Sequence, residues 1–196
     1  MNKILTLGTL LFASAVIMVV AVSPASAQES AAEQQAMMKA MQPGPQHKQL
    51  AKLVGEYTTQ SKLKQLGVDD GQGGTATEES TGTAKLTMTM DGRFLQEEDS
   101  GTMMKMPFKG THVTGYNNAA GQYEAVWYWT MGTSLMTMTG KSDDGGKTIV
   151  CQASYAGEGG KPEKMTITTT IVDDDHFTVE IKGERAEMTT TYTRKK

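Results

Sequence analysis

The chain beyond residue 56 alternates apolar with polar positions in runs of about five to ten residues, which Gly, Asp and Asn separate. A period of two is typical of β-strands that bury one face. The pattern predicts strands at 56–65, 80–90, 93–100, 107–117, 122–131, 134–141, 147–156, 163–172, 176–183 and 186–194. No helical periodicity follows residue 55, so we expect the strands to form an antiparallel meander.

Helical features precede the strands. Residues 28–44 are rich in Ala, Gln and Glu up to a Pro-Gly-Pro break, and form a helical or disordered lead-in. Pro45 is a favourable first helical residue, after which His47, Leu50 and Leu53 recur at helical spacing. We therefore expect a short helix before the first strand.

The strand order predicts an all-β fold in a single domain over 45–196. A meander hides its strand edges most completely by closing, so we expect an up-and-down barrel of about 8–10 strands. A two-sheet sandwich is the alternative. Asp91-Gly92 predicts a two-residue hairpin turn. The Gly-rich segment 67–78 predicts a long loop, either mobile or a lid over the barrel.

The N-terminus resembles a secretory signal peptide. Lys3 precedes an apolar run from Ile4 to Val22, and Ala25-Ser26-Ala27 forms a cleavage site. We expect residues 1–27 to be removed, without later membrane insertion, which makes the product secreted or periplasmic; a membrane anchor is the alternative. Export would separate the protein from cytosolic ATP, NAD and reducing thiols.

Cys151, the single cysteine, is expected to be buried and unable to form an internal disulfide.

Charge and composition narrow the choice of partner. The formal net charge is −3, without a basic cluster, so we expect no nucleic-acid partner. The 15 methionines indicate either core filling or an adaptable apolar cavity. Pairs such as Met88 with Met90 and Met136 with Met138 also leave open a thioether Cu(I) site.

Strand alternation indicates which side chains face the barrel interior. In 122–131 the inner face carries Tyr123, Ala125, Trp127 and Trp129, and in 107–117 an aromatic set places His112 inside. The candidate ligand-binding residues are Met88, Met90, Arg93, Phe108, His112, Tyr116, Trp127, Trp129, Met136 and Met138.

The sequence contains no specific catalytic, cofactor-binding or metal-binding motif. In the 97–99 run Glu97-Glu98-Asp99, adjacent residues face opposite ways, so the run is interpreted as a solvated strand end. Residues 173–175, all Asp, lack the spacing of a calcium loop and are interpreted as a turn. His112 as a base and Arg93 as a carboxylate ligand are the remaining catalytic candidates. Enzyme activity is therefore left open, and we expect no cofactor.

Several short motifs recur together in one order. They are Pro45-Gln46-His47, Leu50, Leu53-Val54-Gly55, Tyr57, Gly92-Arg93-Phe94-Leu95, Met103-Met104, Met106-Pro107-Phe108, Gly110, Gly115-Tyr116-Asn117, Tyr123, Trp127, Met131-Gly132-Thr133, Gly140, Asp143 and Thr191-Tyr192-Thr193-Arg194. This order resembles the DUF1579 family of bacterial proteins of unknown function, over roughly 43–195. The resemblance implies a calycin-like (lipocalin-like) antiparallel barrel and brings no activity or catalytic residues. Family members often carry Trp at position 57 and Asp at position 129, where this chain has Tyr57 and Trp129.

These observations favour a non-catalytic barrel that binds a small apolar or amphipathic molecule in the periplasm. A filled structural or interaction barrel is the alternative. An enzyme that uses His112 or Arg93, and a methionine-based Cu(I) binder, are further alternatives. The oligomeric state and the identity of a ligand are not predicted.

Overall fold

The computed structural model describes residues 24–196, with the side chains of 31–157 and 159–196. Residues 1–23 of the predicted signal peptide lie outside the described residues. The chain divides into two units, 1–37 and 38–196. Helix α1, Pro24–Ala40, accounts for the described part of the first unit. No helix in the described range is long and apolar enough to cross a membrane.

The second unit is a closed barrel of antiparallel strands. In chain order it contains helix α2 at Pro45–Ala51 and the strands β1 Gly55–Asp69, β2 Thr75–Thr89, β3 Phe94–Met103, β4 Met106–Asn117, β5 Gln122–Trp129, β6 Met136–Lys141, β7 Thr148–Ala156, β8 Pro162–Ile171, β9 His176–Gly183 and β10 Ala186–Arg194. A short 3₁₀ turn, Glu158–Gly160, links β7 to β8. Each strand pairs with the next, and β10 pairs with β1 to close the barrel. The predicted up-and-down barrel is confirmed, and the sandwich alternative is wrong.

Closure joins strands that are far apart in sequence. Tyr57 of β1 lies opposite Arg194 of β10, and Gln65 lies opposite Ala186. Inside this seam, the hydroxyl oxygens of Ser61 and Thr190 are 2.9 Å apart and hydrogen-bonded. The barrel thus has no free strand edge, which removes the usual template for edge-to-edge association.

Helix α2 covers the barrel end at which β1 begins. Leu50 and Leu53 are 2% and 6% exposed, and the Tyr57 hydroxyl donates to the Leu53 carbonyl at 3.0 Å. Arg194 holds the same connection, since its guanidinium donates to the Lys52 carbonyl at 2.9 Å and lies over the Tyr57 ring. We call this the covered end; the opposite end carries the β1–β2 and β3–β4 turns.

Two predicted connections differ in the structure. The expected loop at 67–78 is mostly strand, because β1 and β2 continue pairing past a register shift as far as Asp69 opposite Thr75. The Asp70 carboxylate then accepts from the Gln72 and Gly74 backbone N–H groups and closes a short turn. The expected two-residue Asp91-Gly92 turn spans 90–93, with positive φ at Met90, Asp91 and Gly92.

Candidate functional site

An internal cavity lies inside the barrel and is lined at the covered end by Leu50 of α2. The centre of a water molecule can occupy about 140 Å³ of it, many times the roughly 10–15 Å³ that one water requires. Most lining side chains are apolar: Leu50, Leu53, Leu86, Leu95, Met103, Phe108, Ala125, Trp127, Met138, Ile149, Cys151, Ile167, Phe177, Val179, Ile181 and Met188. The polar lining residues are Thr59, Ser61, Ser80, Glu97, Asp99, Ser100, Thr102, His112, Thr114, Thr169, Thr190 and Tyr192.

Aromatic packing shapes the cavity beside α2. The rings of Phe177 and Tyr192 stack with centroids 4.0 Å apart, and Tyr57 meets Phe177 edge-on at 5.2 Å. Because Tyr57 is only 1% exposed and Tyr192 only 8%, these rings are fixed by their neighbours. They give the cavity a rigid apolar base.

One side of the cavity carries a charged hydrogen-bonded group. Glu97 is 8% exposed, and its Oε1 accepts from the Tyr192 hydroxyl at 2.8 Å. Its Oε2 lies 3.7 Å from Nδ1 of His112, and Nε2 of that ring lies 3.3 Å from the Thr114 hydroxyl. Burial and the neighbouring Glu97 charge hold the pKa of Tyr192 well above its usual value, so its hydroxyl remains a donor.

Asp99 completes this polar side with a carboxyl group that is poorly satisfied. Its Oδ1 is enclosed and makes no hydrogen bond. Both this oxygen and Nε1 of Trp127 lie within 3 Å of the point that a Cβ on Gly110 would occupy, at 2.2 and 2.7 Å. Only a glycine leaves room for the carboxyl there. Burial, and then repulsion from Glu97, raise the pKa of Asp99 to about 7.

The structure brings four of the ten predicted residues to the cavity: Phe108, His112, Trp127 and Met138. Trp129 lies behind Trp127, with its ring stacked at 4.5 Å between centroids. Met136 is 3% exposed in the core, and Met88 packs against that core. These three residues support the lining without belonging to it.

The remaining three predicted residues lie elsewhere. Met90 is 72% exposed in the β2–β3 turn, so its predicted inward position is wrong. Arg93 donates to the carbonyls of Met90 and Met41 at 3.2 Å each, outside the cavity. Tyr116 lines a separate cleft with Arg93 and the buried His47, because β4 reaches the covered end there. The predicted carboxylate-binding role of Arg93 in the barrel therefore has no structural basis.

Sequence reasoning missed the most polar residues of the site. Glu97 and Asp99 are two apart on β3 and share a face with the buried Leu95. The alternation rule that placed His112 correctly also places both carboxyl groups inward. Interpreting residues 97–99 as a solvated strand end was wrong for these two residues, because only Glu98 is exposed. Tyr192 lies in the Thr-Tyr-Thr-Arg motif, but its polar role was not anticipated.

The next feature is the position of the side chains that could bind a metal ion, including the sulfur atoms of Met and Cys. Among the described residues, no three His, Cys, Asp or Glu side chains are arranged to hold a metal ion. The methionines do not form one group, since Met90 and Met104 lie in turns at opposite ends of the barrel whereas Met136 and Met138 are buried inside it. Cys151 lines the cavity, and burial raises the pKa of its thiol to about 11, which makes it a poor nucleophile.

Comparisons with known proteins identify a family and solved structures to which this chain is similar. A family model described as a protein of unknown function (DUF1579) matches residues 42–194. No curated protein matches the chain. The chain is similar to the crystal structure of Rv2717c from M. tuberculosis, with 12% identity, a TM-score of 0.57, and coverage of 79% of this chain and 100% of that chain. It is also similar to a redesigned beta barrel, b11L5F_LGL, with 15% identity, a TM-score of 0.39, and coverage of 75% and 95%.

Proposed function

The chain belongs to the DUF1579 family, as its sequence pattern predicts, and we propose that it is an exported, non-catalytic binding protein that holds one small amphipathic molecule inside its barrel. The family has no assigned function, so the proposal rests on the cavity. The single observation that carries it is an interior space of about 140 Å³ whose lining is mostly apolar and whose polar residues lie mainly on the adjoining strands β10 and β1 to β4. Binding sites for small molecules are likewise lined mainly by apolar side chains, with polar groups that fix the orientation of the ligand.

The barrel supports this function because it holds the cavity in a fixed shape. Stacked rings and α2 form its base, and continuous strand pairing surrounds it. A filled barrel would instead bring the opposing side chains into contact. Because the surrounding side chains are already held in place, little conformational entropy is lost when a molecule binds, and this favours binding.

The direct test is native mass spectrometry of the protein purified from its own host. We expect a retained molecule that is released on unfolding. A matched pair of variants identifies where it binds: Ala125→Phe fills the cavity and should abolish retention, whereas Val126→Phe changes the outward position next to it and should not. Equal retention by wild type and by a folded Ala125→Phe protein would refute the proposal.

Export is tested separately from binding. The Ala25-Ser26-Ala27 site supports cleavage that leaves Gln28 as the first residue. Intact-mass measurement and N-terminal sequencing of the secreted or periplasmic fraction should give that terminus. Recovery of the full-length chain from the cytosol alone would exclude export without affecting the cavity argument.

A further inference from the structure

The charges that face the cavity differ from those expected for a fatty-acid carrier. Two carboxyl residues, Glu97 and Asp99, line it together with His112, and the described lining contains no Lys or Arg. A carboxylate ligand would place a third acidic group in this weakly polar space. Like charges repel strongly where water is excluded. The cavity therefore disfavours anionic amphiphiles and favours molecules that bring a positive charge.

The two carboxyl groups are not equally satisfied. Glu97 accepts from the Tyr192 hydroxyl at 2.8 Å and lies 3.7 Å from His112. Asp99 has an enclosed oxygen without a hydrogen-bond partner. A buried acceptor without a donor is costly, and native proteins leave few of them. The site thus has an excess of acceptors that a donating ligand would relieve.

The surroundings of Asp99 also suit the rest of such a ligand. The indole of Trp127 lies beside the carboxyl group, against Gly110, and is backed by Trp129. The Nε1 edge of this ring is the part recorded near the carboxyl group, and the rest of the indole supplies apolar surface that suits the hydrocarbon part of an amphipathic ligand. Phe108, opposite Gly101 across β3 and β4, extends the apolar lining.

We infer that the molecule held in the barrel is a hydrophobic amine, whose ammonium group pairs with the carboxylates of Asp99 and Glu97 and whose apolar body packs against Trp127. This inference rests on the proposed binding function and names its ligand class. One positive charge between the two carboxylates offsets their mutual repulsion and supplies a donor to the enclosed Oδ1 of Asp99. A neutral alcohol would supply a donor but leave the repulsion in place.

The test compares three probes that differ only in their polar group. Binding of 2-phenylethylamine, 2-phenylethanol and phenylacetate to the full protein is measured by calorimetry at about pH 8, where Asp99 is ionised. We expect the amine to bind at least about tenfold more tightly than the alcohol, as charged hydrogen bonds do, and phenylacetate to bind most weakly.

Two substitutions on β3 make the comparison specific. Asp99→Asn should weaken amine binding about tenfold and leave alcohol binding unchanged. Glu98→Gln removes the same charge from the exposed face of the strand and should change neither. Alcohol binding as tight as amine binding, or equal losses in both variants, would overturn the amine inference while leaving the binding function intact. Failure of all three probes to bind would also overturn the amine inference, whereas the binding function itself is refuted only by the mass-spectrometric comparison with Ala125→Phe.

Discussion

Replacing Asp99 with asparagine should stabilise the barrel at alkaline pH, although the carboxyl lies at the proposed binding site. Above neutral pH the wild-type Asp99 side chain carries a negative charge, although burial and repulsion from the adjacent Glu97 both disfavour that charge. Asparagine has nearly the same shape and no charge. It therefore keeps the packing over Gly110 and removes the electrostatic cost.

The magnitude follows from the two proton affinities. In the folded protein the pKa of Asp99 is about 7, against an ordinary value of 3.8. The folded state thus binds the proton more tightly than the unfolded state does. Protonation of Asp99 therefore contributes its full amount to the free energy of unfolding below about pH 4, and this contribution is lost as the pH rises towards 7. At about 1.4 kcal/mol for each tenfold change in proton affinity, wild type loses about 4 kcal/mol that the variant keeps.

Urea unfolding of both proteins at about pH 4 and pH 8 measures this difference. We expect nearly equal free energies of unfolding at the lower pH and a more stable Asp99→Asn protein at the higher pH. Glu98→Gln is the control, because it removes an exposed charge from the same strand. If Asp99→Asn changes the stability equally at both pH values, burial of a titrating charge is not the reason.

Two substitutions and one labelling experiment probe the same site. Tyr192→Phe removes the donor to Glu97 and should lower the free energy of unfolding by about 1–3 kcal/mol; an unchanged urea midpoint would contradict the bond. Gly110→Ala places a methyl group where the Asp99 carboxyl lies, so it should lower the thermal midpoint and abolish binding of 2-phenylethylamine; unaltered binding would show that the carboxyl can move freely. Cys151, whose pKa is raised to about 11 by burial, should react with iodoacetamide at about pH 8 only after unfolding, and rapid labelling of the native protein would contradict its burial.

The sequence predicts the barrel well because alternation is a local property. Each strand pairs with its chain neighbour, so short turns and a period of two specify nearly all of the topology. The extended β1–β2 ribbon was missed because its residues are exposed or only half-buried, so no buried face marks them as strand. The Asp91-Gly92 turn was placed correctly but made too short, since Met90 also adopts a positive φ.

The site was harder to predict, because its polar residues contradict the general preference of charges for water. Apolar and aromatic lining residues such as Phe108 and Trp127 follow directly from alternation. Glu97 and Asp99 follow from the same rule but were interpreted together with Glu98 as a solvated strand end, because only the alternation between adjacent residues was considered. Tyr192, which donates to Glu97, comes from the far end of the chain, and nothing local in the sequence indicates that β10 lies within reach of β3.

The pairing of β1 with β10 has a consequence for the order of folding. All other strand pairs join neighbours along the chain, whereas Ser61 and Thr190 are 129 positions apart. Contacts between distant positions form slowly, because a long segment must first be ordered. We therefore expect a ribbon of hairpins to form early and the cavity to appear only when its two outer strands meet.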